Sequence, residues 1–127
     1  MARSGSTLLA REMDRIAGIT VGIEESMPDG IDRGSKVKIH NEGALDRYLE
    51  VAFRDAKLQE WRVSRDALRQ KLLTDYAFPL SFREVLTGLL ELYTQEEGPE
   101  CIIHKKGPYY LHIAEVRKLF PASCFIH

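Results

Sequence analysis

The sequence predicts an α+β fold: an antiparallel sheet packed against two central amphipathic helices, with a short N-terminal helix and a C-terminal β-hairpin. Three observations lead there. Apolar and polar residues alternate at 19–23 and 37–39, the period of a half-buried strand. From 64 to 98 the apolar spacing changes twice to that of a helix, each time behind a serine able to cap it. Strands grouped around a helical block, without regular strand–helix alternation, are the order of an α+β chain.

Ser6 or Thr7 is placed to cap the first helix, in which Leu9, Met13 and Ile16 share a face with Leu8 beside them and Gly18 is placed to end it. Ile19, Val21 and Ile23 then alternate with Thr20, Gly22 and Glu24, and Ser26-Met27-Pro28-Asp29-Gly30 reads as a turn. Val37 and Ile39 alternate with Lys36, Lys38 and His40 in a second strand that stops at Asn41-Glu42-Gly43.

Between Ala44 and Phe53 two periods compete. Leu45, Tyr48, Leu49, Ala52 and Phe53 make a helical stripe of good helix formers. Leu49, Val51 and Phe53 also fit a strand, paired across Arg54-Asp55-Ala56-Lys57 with Leu58, Trp61 and Val63. Periodicity favours the helix slightly.

Beyond this point the signals are local. Ser64 caps a helix carrying Leu68, Leu72 and Leu73, with Asp66 in its first turn, where a negative charge suits the helix dipole. Ala77-Phe78-Pro79-Leu80 interrupts it. Ser81-Phe82-Arg83-Glu84 is a capping box opening a helix that buries Phe82, Val85, Leu86, Leu89, Leu90 and Tyr93 and stops near Gly98-Pro99. Cys101 to His104, a turn at Lys105-Lys106-Gly107-Pro108, and Tyr109 to Ile113 read as the hairpin, and Glu115 to Phe120 as a last helical turn.

Val51-Ala52-Phe53, followed by Leu58-Gln59-Glu60-Trp61-Arg62-Val63-Ser64-Arg65-Asp66-Ala67-Leu68, resembles a family of short bacterial proteins defined only as a domain of unknown function. In that family a V-x-F strand pairs with a second strand, which ends in I/V-S-x-E/D-A/S-L and runs into a helix. A second amphipathic helix, here the one after Phe82-Arg83, and a strand follow. The resemblance covers about Val37 to Ile113 and implies a hairpin between Tyr48 and Val63 and a bacterial source. It supplies no catalytic residue.

The chain has 127 residues, 44% hydrophobic and 29% charged, which suits one core: a single domain over 1–127 with helix 7–17 appended. That composition excludes a disordered tail, a collagen-like repeat and a disulfide-dense miniprotein. Eighteen basic against 19 acidic side chains give a net charge of −1, which disfavours bulk electrostatic binding of nucleic acid. No apolar run approaches the roughly 18–20 residues of a membrane span, and the start lacks the apolar core of a secretory signal. Two cysteines do not make a disulfide framework, so the expectation is a cytoplasmic protein with reduced thiols.

Chemistry-bearing patterns are few. Cys101, His104, Cys124 and His127 form two Cys-x-x-His pairs, but positions i and i+3 on a strand face opposite ways, and no metal or cofactor is expected. Gly30-Ile31-Asp32-Arg33-Gly34-Ser35-Lys36 is one residue short of a phosphate-binding loop and leads into a strand, so it reads as a solvated turn. Asp29 and Asp32, near Glu24 and Glu25, lack EF-hand spacing. No Ser or Cys sits on a nucleophile turn, and the expectation is that the protein is not an enzyme.

Two helices followed by a hairpin tipped by Lys105 and Lys106 resemble a winged helix, the alternative reading, with Arg65, Arg69 and Lys71 as the nearest basic cluster. The helix that would enter the groove offers one Arg and two Glu over 82–91, poor equipment for phosphate contacts. The favoured reading is protein–protein binding, because Leu8, Leu9, Met13 and Ile16 give a terminal helix an apolar face, and Tyr109, Tyr110, Phe120 and Phe125 crowd the other end. In concrete form this is a small bacterial regulator, a homodimer, acting as an anti-activator that occludes a transcription factor.

Overall fold

The computed structural model describes residues 5–22, 36–94, 101–104 and 111–125. Helices α1 (Ser6–Met13), α2 (Glu42–Ala52), α3 (Ala56–Glu60), α4 (Arg65–Asp75), α5 (Phe82–Tyr93) and α6 (Ile113–Leu119) accompany strands β1 (Ile19–Gly22), β2 (Lys38–Ile39), β3 (Leu80–Ser81) and β4 (Cys101–His104). The α+β class is borne out.

Helix starts follow the short polar residues that precede them. Asn41 Oδ1 accepts from the Ala44 N–H at 2.9 Å, Asp55 Oδ1 from Lys57 at 3.0 Å, and Ser64 Oγ from Ala67 at 3.3 Å. The capping box forms as read: Ser81 N–H donates to Glu84 Oε2 at 2.6 Å while Glu84 N–H donates to Ser81 Oγ at 3.4 Å. Each bond occupies a donor that the first helical turn leaves unpaired, at a typical gain of about 1 kcal/mol.

Those caps aim apolar faces at one another. Leu45, Leu49 and Ala52 of α2, Leu58 of α3, Leu68 and Leu72 of α4, and Phe82, Val85, Leu86 and Leu89 of α5 are buried together with Trp61, Ile39, Leu80, Val116 and Leu119. The approach of α4 to α5 depends on Gly88, where a Cβ would stand 3.1 Å from Leu72 Cδ2 and 3.4 Å from Leu68 Cδ1. Arg69 ties α4 to α2 through Asp46 and Glu42, and Lys71 ties it to Glu91 of α5.

Two sequence expectations, at 44–63 and at 101–113, are corrected. Residues 44–63 form α2 and α3 rather than a hairpin. Leu45, Leu49 and Ala52 are buried at helical spacing behind the Asn41 cap, while Val51, which a strand would group with Leu49 and Phe53, is exposed. Of the expected C-terminal hairpin, the turn at 105–108 and Tyr109 and Tyr110 lie outside the described residues, and Ile113, expected to end its second strand, opens α6, whose Val116 and Leu119 are buried one turn apart. β4 instead pairs with β1, in parallel, Ile19 opposite Cys101 and Gly22 opposite His104. The antiparallel ladder is short and joins Lys38 to Ser81 and Ile39 to Leu80.

The N-terminal helix also stops early. It ends at Met13, not residue 17, and begins behind Gly5, which has φ 70° and no side chain to cap with. Asp14 follows, and its carboxylate accepts from Val21 N–H at 3.0 Å, so the chain folds back onto β1 instead of extending the helix. Gly18, at φ 81°, takes a left-handed conformation that other residues adopt only at a cost. Its carbonyl accepts from Cys101 N–H at 3.0 Å, starting the parallel ladder.

Aromatic contacts join that ladder to the helical core. The Trp61 ring lies 4.7 Å from Tyr93 of α5 and meets His104 of β4 edge-on at 5.9 Å. Burial pushes the Tyr93 phenol above its ordinary range, and the negative charge of Asp14 adds to the shift. At the other end, the guanidinium of Arg83 stands 5.9 Å from the Phe120 ring centre and that of Arg117 5.6 Å from Phe125, holding the tail after α6.

Candidate functional site

The apolar residues of the N-terminal helix divide between two sides. Ala10 is buried, and Met13, one helical step further on, is half-buried. Leu8, Leu9 and Ile16 are 65%, 48% and 52% exposed. Ile16 belongs to the turn beyond α1, where its N–H donates to the Met13 carbonyl at 3.0 Å and its own carbonyl accepts from Ile19 at 3.1 Å. Both bonds fix the backbone at Ile16 against the start of β1.

Charged groups border the leucines. Arg15 Nη1 donates to both carboxylate oxygens of Glu12, at 3.0 and 2.9 Å, and the pair is solvent-exposed. An exposed pair of this kind contributes about 0–1 kcal/mol. It satisfies both charges beside an apolar patch, and polar groups around an uncovered apolar centre are the usual arrangement of a protein-binding surface.

The sequence-predicted residues thus separate. Leu8, Leu9 and Ile16 share one exposed stretch of chain, Met13 turns partly inward with Ala10, and Tyr109 and Tyr110 fall outside the described residues. Among the described residues, three further large apolar side chains that the sequence did not mark, Val51, Leu111 and Ile113, are exposed. Val51 also fits the competing strand period, and the outward phase of Ile113 follows only once α6 is known to begin there. Single exposed apolar residues are common on protein surfaces.

The basic cluster of the alternative reading is engaged elsewhere. Arg69 Nε donates to Asp46 Oδ1 at 2.6 Å and Nη2 to Glu42 Oε2 at 2.8 Å. Hydrogen bonding to Asp46, then to Glu42, holds its pKa above the ordinary guanidinium value, and the Arg69 hydrogen bond lowers that of Asp46. Lys71 Nζ lies 2.7 Å from Asp75 and 2.9 Å from Glu91, and those bonds, Asp75 first, raise its pKa as well. Arg65 lies 3.7 Å from Asp66. Arg69 and Lys71 would each have to give up two carboxylates to contact phosphate; Lys105 and Lys106 lie outside the described residues.

Metal and cofactor patterns gain no geometry. Cys101 and Cys124 are exposed free thiols, His104 faces Trp61, and His127 lies outside the described residues. Among the described residues no group of three or more His, Cys, Asp or Glu side chains is close enough to hold a metal ion. Nor is any described helix long and apolar enough to cross a membrane. The phosphate-loop-like segment at 30–35 and the acidic residues 24, 25, 29 and 32 lie outside the described residues. Comparisons with protein-family models, with curated proteins and with solved structures return no match.

Proposed function

We propose that this protein acts by binding another protein through the exposed leucines of α1 and the turn that follows it, with Leu8, Leu9 and Ile16 as its apolar contacts. One observation carries the reading: a helix of eight residues buries its alanine and leaves both its leucines in solvent. Covering such side chains gains about 1.5–3 kcal/mol each when burial is complete, enough to anchor a small interface. The Glu12–Arg15 pair supplies a polar border that costs little to keep hydrated. The sharper form, a small regulator occluding a transcription factor, rests on class analogy.

The test is paired affinity capture from a native lysate, with the wild-type chain and with a Leu8→Glu/Leu9→Glu variant. The expected result is one stoichiometric protein held by the wild type and lost by the variant, whose thermal midpoint stays within a few degrees. A protein still held after the substitution, or a variant that no longer folds, overturns the proposal. Sedimentation velocity on the purified chain adds a second arm. A dimer that the same substitution dissociates would make the partner a second copy.

A further inference from the structure

We draw no further inference here: the strongest candidate outside the α1 face, the aromatic cluster of Trp61, Tyr93 and His104 between the helical core and β4, has a buried indole Nε1 with no hydrogen-bond partner in the structure, but nothing among the described residues shows what ligand chemistry would reach that nitrogen.

Discussion

Helices α1 and α5 are both rich in leucine and both amphipathic, yet α1 leaves both its leucines in water while α5 buries Leu86 and Leu89 completely and Leu90 and Leu92 in part. In α5, Phe82, Val85, Leu86 and Leu89 are at most 1% exposed, with α4 across from them and a two-way capping box at the start. In α1 the leucines are about half exposed or more, and the residue before the helix is an uncapped glycine. An apolar stripe says only that a surface needs covering. Whether the chain covers it depends on a facing element. α5 has one in α4, where Gly88 admits Leu68 and Leu72 at close range. The end of α1 meets β1 through the Asp14–Val21 hydrogen bond, while Leu8 and Leu9 stay exposed.

Breaking the buried member of the pair should have the largest effect. Phe82→Ala leaves a cavity at the centre of the core, and a loss of about 3–5 kcal/mol is expected in a denaturant titration. A loss under about 1 kcal/mol would show that α5 is not the core helix its burial makes it. Next comes Gly88→Val, which drives a branched side chain into Leu72 and Leu68. Overpacking of this kind costs about 1–3 kcal/mol, so the thermal midpoint should fall, and a rise would mean that the two helices separate freely.

Ser81→Ala removes one half of the capping box and should cost about 1 kcal/mol by the same titration. Leu8→Glu/Leu9→Glu should cost less, within about 0.5 kcal/mol, since both side chains already meet solvent. Its effect belongs to binding. Equal destabilisation by Phe82→Ala and by the double variant would abolish the contrast between the helices.

The smallest change concerns pH. The folded-state pKa of Asp46 is held below its ordinary value of 3.8 by the hydrogen bond from Arg69. Its contribution to stability is therefore complete above that value and is lost as pH falls through the depressed folded value. Asp46→Asn should flatten the acid limb of the stability profile below pH 3.8 and leave the neutral limb without a comparable slope. An unchanged acid limb would show that the pair contributes nothing measurable in solution, as many exposed ion pairs do.

Legibility followed the range of the physical signal. The caps at Ser64 and Ser81, the strands at 19–22 and 38–39, and the buried faces of α4 and α5 are visible in short stretches of sequence. Between 44 and 63 the helical signal is also local, in Asn41 and in the spacing of Leu45, Leu49 and Ala52, and it prevails over the hairpin that a short motif implies. Of the candidate face, Leu8, Leu9 and Ile16 are exposed and Met13 is half-buried, a division that the apolar stripe alone does not give.

Where α4 and α5 begin, which of their faces are apolar, and that the chain mixes helix with strand are all written in short stretches of sequence. A cap reaches three residues and an apolar stripe repeats every three or four, so each is complete within its own segment. The parallel pairing of β1 with β4, the close contact at Gly88 and the exposure of Leu8 and Leu9 on α1 arise only when the chain has folded. Each of those depends on which distant segment arrives opposite, and no residue near Ile19 or Leu8 encodes that arrival alone.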